Sequence, residues 1–441
     1  MSVRSAALAA SVATALAVTV TAALAGSTAS FSAARHFRTL DSPLAVVAGD
    51  LNGDGKADLA LVDYYPGKVS VLLGKGDGTL AAKRDFVAGT HPYGIASADL
   101  NGDGSADLVT ANDDANTVSV LFNKGNGTFL PPVAYAAAKL PEAIATGDLN
   151  GDGKTDLVVA NADANSFSLF LNKGDGTFAA RRDHPTGTGP IGIAVHDLNA
   201  DGKVDVVTAD GDSDTASVFL GDGIGGFAAR TVYITGTGPG WLAIGDLNGD
   251  GKADLATANT SVDSISVLRN KGDGTFGESV DYETAVGPPF EIAVSDLDGN
   301  GTADLVTPNY ESGTISVLSN PGDGTFDARR EYRAGAGAVS LAVADLNGDR
   351  RPDLATADFE SSSVSVLLNA TGFCGVPNLA GQKLRAAKKA IALAGCRLGK
   401  VGSTYSRTVP RGRVISQKPA AGAVLGKGAR IDLVVSRGPK R

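Results

Sequence analysis

Asp50-Leu51-Asn52-Gly53-Asp54-Gly55-Lys56-Ala57-Asp58 is a phrase that this chain repeats. It begins again, with changes, at Asp99, Asp148, Asp197, Asp246, Asp296 and Asp345, at intervals of 49, 49, 49, 49, 50 and 49 residues. A fixed period of this length marks a repeat architecture. Each unit keeps one internal order. An apolar run such as Leu44–Ala48 precedes the phrase, and a second such as Asp156–Ala160 follows it. Next come a loop of acidic and small residues, an alternating run such as Val69–Leu73, a Gly-Asp-Gly-Thr-Phe turn such as Gly174–Phe178, and a polar run. Four short β-type runs divided by Gly, Asn and Asp turns predict a four-stranded antiparallel sheet per unit. Sheets repeated at about 40–50 residues predict a β-propeller, one blade per unit.

The ends of the array test that reading. The seventh unit reaches Val364–Leu368 and then departs from the pattern, so its fourth strand is missing. Phe31-Ser32-Ala33-Ala34-Arg35-His36-Phe37 stands 19 residues before Asp50, as Phe178-Ala179-Ala180-Arg181-Arg182 stands 19 before Asp197. The N-terminal segment is therefore expected to supply that strand and close a seven-bladed ring, leaving no open edge between first and last blades. An open solenoid is the alternative, and it has no need of a displaced strand.

The acidic phrase puts side-chain oxygens at loop positions 1, 3, 5 and 9. Those positions are Asp50, Asn52, Asp54 and Asp58; Asp99, Asn101, Asp103 and Asp107; Asp148, Asn150, Asp152 and Asp156; and Asp197, Asn199, Asp201 and Asp205. They continue as Asp246, Asn248, Asp250 and Asp254; Asp296, Asp298, Asn300 and Asp304; and Asp345, Asn347, Asp349 and Asp353. Alternate oxygens on a loop bent at Gly suit a hard cation, and Ca²⁺, with its flexible shell at about 2.3–2.6 Å, fits better than Mg²⁺. Up to seven structural Ca²⁺ are expected. The loop opens like an EF-hand, but position 12 is Leu61, Thr110 or Val159 rather than Glu, and a strand follows. Turn formation alone also favours Asp, Asn and Gly, yet it does not require three acids per copy. Two copies depart at the Gly positions, with Ala200 at position 4 and Arg350 at position 6. The Asp345 loop is the weakest of the seven, because Arg350 brings both a side chain and a positive charge.

Charge is divided along the chain. Of 441 residues with net charge −9, positions 31–373 hold 47 acids against 23 Lys/Arg, and positions 374–441 hold 15 Lys/Arg against Asp432 alone. Two modules with different surfaces follow from such a split. The first 25 residues carry Arg4, an uncharged run of Ala, Leu, Val and Thr, and the ending Ala23-Leu24-Ala25. That is the pattern of a cleaved export signal; an uncleaved membrane anchor is the alternative. In an exported chain, Cys374 and Cys396 are expected to pair as a disulfide.

On these motifs the units over 31–370 resemble the FG-GAP/VCBS repeats of exported bacterial proteins and of integrin α-subunit propellers. The resemblance implies a seven-bladed propeller with structural calcium. Residues 374–438 run from Val376-Pro377 through a helical stretch, Gln382 to about Ala394, to Val414-Ile415-Ser416-Gln417 and Val434-Val435-Ser436. This order resembles a PASTA domain, implying a small α+β fold and a bacterial extracellular setting. It implies peptidoglycan as a partner, and the basic charge of 374–441 favours an anionic wall polymer. An exported protein gives no role to nucleic acid.

The opposite propeller face collects Tyr64, Tyr65, Tyr93, Trp241, Phe290, Tyr310 and Phe359 with Asp113, Asp114, Asp212, Asp214 and Glu360. Aromatics beside carboxylates suit sugar rings, and they are also ordinary loop residues. The four His are scattered, and no Gly-x-Ser-x-Gly motif occurs, so an enzyme is not expected. The expectation is a secreted, calcium-stabilised binding or adhesion module, wall-associated through its basic domain, with a protein or glycan ligand. A carbohydrate-active protein, lectin or polysaccharide lyase, is the alternative, and a structural spacer is the third reading.

Overall fold

The computed structural model describes residues 29–371, 373–421, 424–426 and 429–440, so the expected signal segment, 1–25, lies outside the described residues. Seven four-stranded antiparallel sheets follow one another along the chain. In the first, Pro43–Gly49 is innermost, followed outward by Asp58–Asp63, Lys68–Leu72 and Arg84–Val87. Each innermost strand packs on that of the next blade, and the first also packs on the last, which closes the ring.

Burial explains the sequence pattern. Blades stack face to face, so both faces of Asp58–Asp63 are covered and it reads as a continuous apolar run. The outermost strand, Arg84–Val87, is largely exposed and carries charge, which blunts an open edge. The seventh sheet is completed from the other end of the chain. Arg35–Arg38 pairs antiparallel with Ser363–Leu367 in the register Arg35↔Val366, His36↔Ser365, Phe37↔Val364 and Arg38↔Ser363. Across the closure, Leu59, Leu61 and Leu72 pack with Ala355, Ala357, Val364 and Val366, and Phe37 covers their edge.

The sixth blade breaks the pattern. Its innermost strand spans only Ala293–Ser295, against seven residues in the other six blades. This is the unit with one extra residue, and Pro288-Pro289 cannot donate to a ladder. The Glu291 carboxylate instead accepts the Leu341 N–H of the next blade at 2.8 Å.

A fully buried polar residue ends each second strand: Asp63, Asn112, Asn161, Asp210, Asn259, Asn309 and Asp358. In the second blade the Asn112 amide donates to Ser119 Oγ at 2.9 Å. In the first blade the roles reverse, and Ser70 Oγ donates to Asp63 at 2.6 Å. Burial raises the Asp63 carboxyl to about 7, against the Ser70 hydrogen bond and with Asp85 adding to the rise. The folded state therefore holds this proton more tightly than the unfolded chain. Its contribution is complete below about pH 4 and is lost as pH rises through about 7. Asp63→Asn, the residue four other blades use, will stabilise the protein at pH 8 by on the order of 3 kcal/mol. Urea unfolding at pH 4 and pH 8 checks this, because the gain must vanish at the lower pH.

A second compact unit comprises residues 369–441 together with 29–31. Arg430–Ser436 lies between Arg397–Thr404, which runs parallel to it, and Val414–Lys418, which runs antiparallel. The helix is Leu384–Leu393, two residues shorter at its start than the periodicity suggests, because Lys383 is extended. Ala387 and Ile391 share its inner face and pack with Val376, Leu379, Cys396, Val414, Ile431 and Leu433. Arg385, Lys388 and Lys389 are exposed. The side chain of Cys374 lies outside the described residues, and with it the geometry of the expected bridge to Cys396.

Candidate metal centres on the loop face

The acidic phrases join the first and second strands of each blade, so all seven emerge on one face. In the first, Asp50 Oδ1 accepts the N–H groups of Asn52, Gly53 and Asp54 at 3.2, 2.7 and 3.2 Å, and Oδ2 accepts that of Gly55 at 2.7 Å. Asn52 Oδ1 accepts from the Asp54 N–H at 2.8 Å. This wrapping needs left-handed backbone at positions 4 and 6, where Gly53 and Gly55 have φ of 76° and 77°. Burial pushes the Asp50 carboxyl up, but the backbone donors outweigh it and hold it below the usual carboxylate range.

Position 9 has a second duty. Asp58 is fully buried; its Oδ2 accepts the Leu51 N–H at 3.0 Å and its Oδ1 the Gly74 N–H at 2.7 Å. It ties the loop to the end of the third strand. Asp107, Asp156, Asp205, Asp254 and Asp304 make the same pair of bonds. In the last loop Asp353 accepts the Leu346 N–H at 3.0 Å. Position 5 turns outward: Asp54, Asp152, Asp201 and Asp250 meet Lys56, Lys154, Lys203 and Lys252 at 3.1–3.4 Å. Exposed pairs of this kind contribute little.

Convergence is clearest in the sixth loop, where carboxylate oxygens of Asp296, Asp298 and Asp304 lie within 4.8 Å of one another. Positions 1, 3 and 9 thus face one point, while the position-5 amide, Asn300, donates to Asn320 O at 2.7 Å. Burial raises Asp304 to about 7 against two backbone donors, and Asp298 and Asp296 add to the rise. Crowded carboxylates of this kind are relieved by a divalent cation, so the donor set fits Ca²⁺. The two irregular loops keep the fold under strain: Ala200 and Arg350 take φ of 58° and 66°. Arg350→Gly will stabilise the EDTA-treated chain by about 1 kcal/mol, because a β-carbon costs roughly that in left-handed backbone. Denaturant titration checks it; a loss of stability would mean that the Arg350 side chain makes a contact worth more than the strain.

A recurrent Asn joins neighbouring blades, a role that its place in the sequence does not announce. Asn123, Asn172, Asn270 and Asn320 each donate from Nδ2 to the loop carbonyl of the preceding blade, at Leu51, Leu100, Leu198 and Leu247, at 2.7–2.8 Å. Gly74 and Gly221 occupy this place elsewhere; a β-carbon there would stand 2.1 or 2.2 Å from a carbonyl oxygen. The recurrence after each third strand is the signal, but its partner lies 72 or 73 residues away.

On the opposite face the aromatic residues divide among blade junctions. Phe290 stands 5.5 Å from Tyr310, and both pack with Phe359 on the core between the last and first blades. Trp241 packs against the core of the third and fourth. Tyr64, Tyr65, Asp113 and Asp114 do come together, joined by His91, a residue that no sequence pattern singles out. Tyr65 is 52% exposed.

A seven-bladed propeller with a repeated acidic loop defines the class. The chain belongs to the FG-GAP-like repeat family, matched at 50–110, 99–159, 148–208, 197–257, 246–307 and 296–356. It also carries a PASTA domain at 375–437. A probable serine/threonine-protein kinase of Clostridium acetobutylicum is 46% identical over 65 residues, 15% of this chain and 10% of the kinase. One of Clostridium perfringens is 41% identical over 63 residues, 14% of this chain and 9% of the kinase. The chain therefore spans about a tenth of these relatives. Among solved structures, BBS1N in complex with ARL6DN matches at TM-score 0.56 and 14% identity, over 77% of this chain and 96% of that one. A streptogramin B lyase matches at TM-score 0.55 and 16% identity, over 77% and 98%. These likenesses are of fold. Among the described residues no helix is long and apolar enough to cross a membrane.

Proposed function

We propose that this protein is an exported, non-catalytic binding or adhesion module whose propeller is stabilised by calcium and whose PASTA domain associates with the cell wall. The observation that carries the reading is the sevenfold loop face: every copy keeps three acids per loop, and in the sixth they converge within 4.8 Å. Turn formation alone does not require that charge. Secretion rests on the signal-like first 25 residues, and a Cys374–Cys396 disulfide suits that compartment. Wall association is supported by the PASTA match and by the basic helix face of Arg385, Lys388 and Lys389. Co-sedimentation with purified peptidoglycan, with and without wall teichoic acid, tests it. The full chain is expected to pellet, and a chain ending at Leu368 is not; equal pelleting would remove the wall assignment.

A second reading, glycan binding, is favoured by exposed Tyr65 standing edge-on to Tyr64 at 5.3 Å beside Asp113 and Asp114. A glycan array on the wild type and Tyr65→Ala decides it: no hit, or hits that survive the substitution, would end this reading.

A further inference from the structure

We infer that His91, Asp113 and Asp114 form a binding site for a divalent transition metal of the zinc type, at the junction of the first two blades and on the face away from the acidic loops. One ligand atom from each lies within 4.8 Å of the other two. Donors about 2.0–2.2 Å from a zinc ion stand roughly 3–4 Å apart, so a small rotation of the exposed Asp114 side chain closes the set. His91 Nδ1 and Asp114 Oδ2 already stand at hydrogen-bond distance, 2.6 Å, and a metal would take the place of the proton between them.

The surroundings are built to hold these groups. Tyr64 stacks on the His91 ring at 4.6 Å with 12° between planes, and its hydroxyl donates to Asp113 Oδ2 at 2.9 Å. It thereby orients one ligand by packing and a second by hydrogen bonding, as outer-sphere residues do. Asp113 is 7% exposed. Two carboxylates against one imidazole leave negative charge even when His91 is protonated, and a dication neutralises it. An imidazole ligand selects zinc-like metals over Ca²⁺ or Mg²⁺.

No other unit carries the set. Where the second has His91, the others have Ser42, Leu140, Gly189, Gly238, Gly287 and Gly337. Where it has Asp113, they have Tyr64, Ala162, Gly211, Thr260, Tyr310 and Phe359. The site is a single departure from sevenfold repetition. The glycan reading shares Asp113 and Asp114 with this site, but Tyr65, on which its test turns, supplies no ligand atom to the metal.

The test uses EDTA-treated full-length protein returned to excess Ca²⁺, which fills hard-cation sites, followed by calorimetric titration with ZnCl2. One zinc per chain is expected at micromolar affinity or tighter, with a Co²⁺ absorption band when cobalt is substituted. His91→Gly uses the residue four other units place there, at a position whose φ is 51°, so it will fold. It is expected to weaken zinc at least about 100-fold and to abolish the cobalt band with an unchanged melt. Tyr64→Phe should weaken binding about tenfold. Equal zinc binding by wild type and His91→Gly would overturn the assignment, as would displacement of the zinc by Ca²⁺.

Discussion

Excess EDTA will lower the melting temperature of the propeller by about 25 °C relative to saturating Ca²⁺. A ligand at a hundredfold excess over its Kd stabilises by about 2.7 kcal/mol per site, so seven loops give about 19 kcal/mol. At about 2.1 cal/mol/K per residue, a unit of this size converts that to about 25 °C. Three occupied loops would still shift the melt by about 10 °C. Scanning calorimetry with EDTA, Ca²⁺ or Mg²⁺ makes the comparison. A shift of a degree or two, or an equal shift with Mg²⁺, would reduce the acidic phrases to turns and remove calcium from the proposed function.

The second large effect concerns closure. A chain beginning at Thr39 lacks the strand Arg35–Arg38 and leaves Ser363–Leu367 as an open edge. It also loses Phe37 from the core between the last and first blades, and the His36 Nδ1 to Ser365 Oγ contact at 2.8 Å. Burial of one large apolar side chain and a short backbone ladder together contribute about 5 kcal/mol. The truncated chain is expected to melt several degrees lower and to associate through its open edge. A synthetic peptide of residues 29–40 should restore the melt when added in trans. Failure of the peptide to bind, together with an unchanged melt, would show that the ring does not depend on this strand.

Much of the propeller is legible in the sequence. The period marks out each unit, and the displaced Phe31–Phe37 segment points to closure because a propeller must lose its open edge. The loop residues are legible because alternate oxygens on a Gly-bent loop are a local pattern. Their division of labour is not. Asp58 and its counterparts hold two backbone segments together, one of them 16 residues on, and only the folded blade brings that segment near. The short innermost strand of the sixth blade is equally hidden, although its extra residue and Pro288-Pro289 mark the place.

The unit, the number of blades, the strand that completes the last one and the acidic phrases were set by the sequence alone, because each is read from the regular spacing of the repeated pattern, the completing strand by its 19 residues before Asp50. What the tertiary structure decided was which residues meet between repeats. Asn123 reaches Leu51, and Tyr64 of the first blade reaches Asp113 and the His91 ring of the second. Those pairings depend on how neighbouring blades stack around the ring, and a linear period carries the order of the blades without the angle at which they face one another.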